Sequence, residues 1–192
     1  MIDCKRLCFI SSTYCSYRYP LFKQCDSLWA NELLGRSTTN TICSSGCLIS
    51  SMAMIINDCH KQVTSGPATP HTLNIWLTWN GGYASDDLFI WGSVNGFGTK
   101  FTGFTTDHTQ TRNYFNEGKA VILNLRNGGH YVLMTGISGT DYIVNDPGFT
   151  KTSYTQDEVV KAAIYTRPAG CSSLLSTSDE SIASLELPSI QD

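Results

Sequence analysis

Residues 40–58 constrain the fold of this chain more than any other stretch. There Gly46-Cys47 opens an apolar run that closes on Asn57-Asp58. Leu48, Met52, Ile55 and Ile56 fall at i, i+4, i+7 and i+8, one apolar face at helical spacing, and Ser50, Ser51 and Ala53 are small enough for close packing. The spacing predicts a core helix starting near Gly46, with Cys47 in its first turn. A thiol at a helix N-terminus sees the positive end of the backbone dipole and unpaired N–H groups, and both favour the nucleophilic thiolate. Within this segment alone, a buried or disulfide-bonded cysteine is the competing reading.

A chain of 192 residues supports one domain with a real core. The expected division is an N-terminal arm over 1–19, a body over 20–170 and a Ser-rich acidic, disordered tail over 171–192. A formal charge of −3 argues against nucleic-acid binding by bulk electrostatics. No apolar run approaches the ~20 residues needed to span a bilayer. The start, Met1 to Ile10, is too short and too polar for a clear signal-peptide core, so no leader is visible.

Eight cysteines lie at 4, 8, 15, 25, 43, 47, 59 and 171. Cys4-x₃-Cys8 and Cys43-x₃-Cys47 resemble half-sites for zinc, but no His-x₃₋₅-His unit completes them. Disulfides fit better and imply secretion or another oxidising compartment. With one cysteine kept free, seven remain: three bridges and one left over.

Along the chain, Asp26 or Ser27 is expected to cap a short helical turn through Leu34 that ends at Gly35. A polar loop over 36–42 then delivers the chain to the Gly46 helix. Thr69 as N-cap with Pro70 at the first helical position starts another helix, which stops at Gly81-Gly82. Residues 86–92 are expected to form a short helical or 3₁₀ piece. Residues 101–105 read as a short strand, and Thr106 or Asp107 opens an amphipathic helix to Glu117. The second half changes period. Residues 120–125, 130–137 and 141–146 are β-rich runs separated by turns at Asn127-Gly-Gly129 and Ser138-Gly-Thr140, so they read as consecutive antiparallel strands. Thr155-Gln-Asp-Glu158 has capping-box form and is expected to open a helix over Val159, Val160 and Ala163, with a last strand over 164–166. Helices followed by a small antiparallel sheet make an α+β chain.

A cysteine nucleophile needs a base, an orienter for that base and donors for an oxyanion. His60, His71 and His108 each have a local reading at a helix end or on the surface. His130 starts a strand directly after two glycines, which permit close approach of a partner. Asp146 ends the following strand. If the two strands pair as a hairpin, the start of one lies beside the end of the next, and His130 and Asp146 become neighbours. Cys43 is the rival nucleophile, but it precedes the helix, and a disulfide near the site suits it better. The aromatics Trp76, Trp79, Tyr83, Trp91 and Phe97 have two readings, lining of a substrate groove or core, and core is favoured because aromatics dominate cores.

Four motifs in order, Gln24-x-Asp26-x-x-Trp29, Gly46-Cys47 with its Ser-Met-Ala-Met helix, Gly129-His130-Tyr-Val and Asn145-Asp146-Pro147, resemble the papain-like cysteine peptidases of the bacteriocin-processing (C-thirty-nine-like) group. The resemblance covers about residues 19–165. It implies a papain-like fold, with Cys47 as nucleophile, His130 as general base and acid, and Asp146 as orienter of the imidazole. Gln24, placed in the oxyanion hole, rests on the resemblance alone. Cys25 beside it is a candidate staple for that loop. The implied reaction is hydrolysis of a peptide or protein substrate by a monomer, with no metal or organic cofactor. Two alternatives stand beside it: a catalytically inactive binding or effector module, and a transfer or deamidation enzyme built on the same triad.

Overall fold

The computed structural model describes residues 15–64, 66–167, 171 and 175–176. Most of the arm, with Cys4 and Cys8, and most of the tail lie outside the described residues. Of the arm, Cys15–Ser16 forms strand β1. Of the tail, Leu175–Ser176 pairs with it as the last strand, β12.

The helical half begins where Thr41 caps a single turn, α1 (Ile42–Ser45), through a reciprocal bond with Ser44. Gly46 follows and donates its N–H to the Ile42 carbonyl at 2.8 Å. The main helix, α2 (Cys47–Asp58), starts at the next residue. Its burial is wider than one amphipathic face: Ile49 through Ile56 are all buried. A helix apolar or small on every side belongs in the interior, and α2 is the centre about which the chain is built. Leu48, expected in the core face, is half-buried beside it.

After α2 come the short pair β2 (Gln62–Val63) and β3 (Gly66–Pro67). Helix α3 (Pro70–Trp79) carries the expected start, with Thr69 accepting from the Thr72 N–H and Pro70 at the first position. Two expectations fail nearby. Residues 26–34 make turns with no helix, although Asp26 does accept from the Leu28 N–H at 3.0 Å. Residues 86–92 are not helical. Leu88–Phe89 (β5) folds back antiparallel on Tyr83–Ala84 (β4), and the pair buries Phe89 while Leu88 faces outward.

The second half is a single antiparallel sheet. Its strands are β6 (Phe101–Thr105), β7 (Ala120–Leu125), β8 (His130–Ser138), β9 (Asp141–Asn145), β10 (Ser153–Tyr154) and β11 (Val159–Tyr165), with α4 (His108–Asn116) between β6 and β7. Among the described residues the order is β10-β9-β8-β7-β11-β6. Strand β7 is buried along its whole length, as an interior strand covered on both faces must be. Strand β7 pairs with the first half of β8, and β1 takes the second half at Gly136 and Ile137. Helix α2 packs on β8, which brings the helical half against the sheet.

The expected helix over Val159–Ala163 is a strand. Thr155 and Glu158 do form a capping box, but it closes one 3₁₀ turn over Gln156–Glu158. The chain then enters β11, wedged between β7 and β6. Two β-branched valines and a sheet slot open on both sides outweigh the local cap. The architecture is α+β.

Two disulfides join described residues, Cys25 to Cys43 and Cys59 to Cys171. They are compatible with an oxidising compartment. Among the described residues no helix is long and apolar enough to cross a membrane.

Candidate active site

Cys47 is the first residue of α2, and its thiol is free. No side chain caps this helix start, because the N-cap is Gly46. The Cys47 N–H is among the first four amides, which have no acceptor within the helix. Gly46 is required here by close approach: a β-carbon at this position would fall on the Ile42 carbonyl oxygen. The glycine thus lets α1 run almost directly into α2 and sets where the sulfur emerges.

His130 is the first residue of β8, and Asp146 lies one residue beyond β9. These strands form a hairpin in which Leu133 faces Asn145, with a bulge between Met134 and Gly136. The pairing brings the strand start and the strand end together. His130 Nε2 and Asp146 Oδ1 are 2.7 Å apart, and the Asp146 side chain is fully buried. An ionised carboxylate only accepts, so the Nε2 proton sits on His130. Nδ1 is then the ring nitrogen left to face Cys47, which lines the same cleft as His130.

The Asp146 carboxylate is further held by the Gly148 N–H at 2.8 Å, the Phe149 N–H at 2.9 Å and the Tyr154 hydroxyl at 2.6 Å. Burial works to raise its pKa, but the bonds from His130, Tyr154 and Phe149 win and hold it below the usual carboxylate value. For His130, burial works to lower the pKa. The hydrogen bonds to Asp146 and Cys47, with the charges of both, outweigh burial and raise it to about 9. The site therefore favours an imidazolium between two acidic groups. The Tyr154 hydroxyl is pushed upward by burial and by its bond to Asp146, so it stays a donor. Tyr154 was not visible as a site residue in the sequence. The pairing of Tyr154 with Tyr142 in β10–β9 carries it to Asp146, and no local motif announces that.

Gln24 is 8% exposed and reaches the same place from the N-terminal side. Its backbone N–H donates to the Pro147 carbonyl at 2.9 Å, and its Nε2 donates to the Cys43 carbonyl at 2.5 Å. Lys23 Nζ reaches the Asp146 carbonyl at 2.7 Å. The 23–24 segment and the 146–149 loop are thus laced together. Gly148 closes the gap between them: a β-carbon there would stand 2.9 Å from His130 Cε1 and 3.2 Å from Gln24 Oε1.

A cleft of about 1060 Å³ joins these residues; Gln24, Cys47, His130, Gly148 and Tyr154 all line it. Trp91, read from sequence as core, lines this cleft, with Phe89 and Tyr131 stacked edge-on against it. Trp79, read the same way, is 78% exposed. The rival cysteine, Cys43, is bridged to Cys25 at the cleft wall.

The other histidines lie elsewhere. His71 pairs with Glu32 at 2.6 Å on the surface, His108 meets the Tyr142 hydroxyl at 3.0 Å, and His60 is exposed after α2. Asp58, Cys59 and Cys171 cluster closely enough to suggest metal ligands. Their sulfurs are joined to each other and the carboxylate meets Arg167 at 2.6 Å, so the cluster is a cross-link.

No curated protein and no solved structure matches the chain. A family model, the Peptidase_C39 like family, matches residues 17–168, and the chain belongs to that family.

Proposed function

We propose that this protein is a papain-like cysteine peptidase that hydrolyses peptide bonds through Cys47, His130 and Asp146. One observation carries the reading: a free sulfur at the start of a buried helix shares a cleft with an imidazole whose far nitrogen is held by a buried carboxylate. Family membership supports it independently.

The Cys47 thiolate attacks the substrate carbonyl carbon, and a C–S bond forms as the carbonyl electron pair moves onto oxygen. The Cys47 backbone N–H and the Gln24 amide receive that oxyanion. The imidazolium of His130 gives its proton to the leaving amine as the C–N bond breaks, which leaves a thioester. His130, now neutral, takes a proton from water; hydroxide displaces the sulfur and the thiolate returns. Asp146 keeps the ring oriented throughout and stabilises its charged form. The two disulfides are compatible with a peptidase that works in an oxidising compartment.

The test is turnover of a fluorogenic peptide-amide library, with products identified by mass. Cleavage that is lost in Cys47→Ala and in His130→Ala supports the reading. Turnover that survives Cys47→Ala refutes it. Products of transfer or deamidation would keep the triad and change the reaction.

A further inference from the structure

We propose that the Cys25–Cys43 disulfide positions the Gln24 amide for the oxyanion, so that opening it slows amide hydrolysis while Cys47 stays reactive. The inference rests on the peptidase reading above and deepens it. Cys25 and Cys43 act through Gln24 as positioning residues.

Gln24 is bound to this bridge twice. Its chain neighbour is Cys25, and its side-chain Nε2 donates to the carbonyl of Cys43 at 2.5 Å. The two sulfurs are bonded, and the two Cα atoms are 4.2 Å apart. A small ring thus closes from the Gln24 backbone through Cys25, the sulfurs and the Cys43 carbonyl back to the Gln24 amide.

Within that ring the carboxamide has few other holds. Gln24 Oε1 is buried without a hydrogen-bond partner among the described residues. The amide's orientation is therefore set through one N–H, and in a planar group a fixed first N–H fixes the direction of the second. Gln24 lines the cleft with Cys47 and His130. Its backbone is tied to the Pro147 carbonyl, one residue from the carboxylate that holds His130.

Opening the bridge leaves Cys43 attached by its backbone bond to Ala30 at 3.1 Å and by the Thr41 cap of its single-turn helix. The Cys43 carbonyl is then free to shift. A buried unpaired Oε1 has every reason to rotate toward a donor once its partner bond is lost, because a buried unsatisfied acceptor is costly. Cys47 sits in α2, a longer helix with its own packing, and keeps its place beside His130. Cys25 is exposed, so a thiol reductant reaches this bridge.

The experiment compares wild-type protein, C25S/C43S, Q24A and the triple variant. Each is assayed on the peptide amide that the wild-type protein cleaves fastest in the fluorogenic library. Alkylation of Cys47 by iodoacetamide is measured in parallel. Alkylation displaces iodide at a saturated carbon and forms no oxyanion, whereas amide hydrolysis does. The expected result for C25S/C43S is a kcat lower by roughly ten- to a hundredfold, with unchanged KM and an unchanged alkylation rate. Q24A shows at least that loss, and adding C25S/C43S to it costs nothing further.

If C25S/C43S fails to fold, dithiothreitol is added to folded wild-type protein and to C59S/C171S and removed by desalting before the assays. Because the reagent also attacks Cys59–Cys171, the effect common to both proteins is the one read for Cys25–Cys43. The dithiol is oxidised to its cyclic disulfide, and two electrons and two protons convert Cys25 and Cys43 to thiols. Unchanged kcat, an equal fall in kcat and alkylation, or full additivity with Q24A overturns the positioning role. Wild-type protein that neither turns over the library nor alkylates rapidly at Cys47 overturns the peptidase reading instead.

Discussion

His130 Nε2 donates to Asp146 Oδ1 across 2.7 Å, because the start of one hairpin strand and the end of the next meet at the open end of the hairpin. The strand pairing, with a bulge to adjust its register, converts sixteen residues of sequence separation into one charged hydrogen bond. Asp146 receives three further donors, so the carboxylate is fixed before any substrate arrives.

The pair makes stability depend on pH in two directions. His130 rises from 6.5 to about 9 on folding, so its contribution is complete below pH 6.5 and is gone once the pH has passed about 9. Asp146 lies below 3.8 when folded, so its contribution is present above that value and is lost as the pH falls further. Thermal unfolding followed across pH is expected to plateau between about 4 and 6.5 and decline on both sides. Asp146→Asn should flatten the alkaline decline and move the alkaline limb of kcat/KM to lower pH by about one unit or more.

Tyr154→Phe removes the hydroxyl that donates to Asp146 Oδ2. A hydrogen bond to a buried charge is worth about 1.5–3 kcal/mol, and the unfolding free energy should fall by that order. Because Asp146 keeps its other donors, kcat should drop less in Tyr154→Phe than in Asp146→Asn. Denaturant unfolding and steady-state kinetics on the same samples separate the two effects.

Gly148→Ala places a β-carbon 2.9 Å from His130 Cε1. The ring has to move, and misplacing a catalytic group by about 1 Å can cost a hundredfold in rate. The expected result is a large loss of kcat with a small change in melting temperature. A crystal structure of the variant should show the His130 ring displaced from Asp146.

Thr69→Ala serves as a control far from the chemistry. It removes the N-cap of α3, and the protein should lose about 1 kcal/mol of stability while kcat and KM stay unchanged.

Much of this arrangement was legible in the sequence because its signals are local. Gly46-Cys47 before an apolar helical run located α2, Thr69-Pro70 located α3, and the glycine-punctuated β runs located the hairpin. Where expectations failed, pairing over distance decided the outcome. The Thr155–Glu158 box is a true cap signal, yet Val159 to Tyr165 lies between two strands and extends. Leu88 and Phe89 became a strand by folding back on Tyr83. Tyr154 and Trp91 entered the cleft through sheet register and loop closure, neither of which leaves a pattern along the chain. Spacing alone could not pair the cysteines either; the approach of residue 25 to 43 depends on how the 20–41 loop wraps over α1.

The most direct measurement is the rate at which iodoacetamide alkylates Cys47, read by peptide mapping against glutathione in the same buffer. Alkylation of Cys47 much faster than glutathione at pH 6, reduced to the glutathione rate by His130→Ala, is the predicted result. A rate equal to that of glutathione and indifferent to His130→Ala would contradict a thiolate–imidazolium pair at this site.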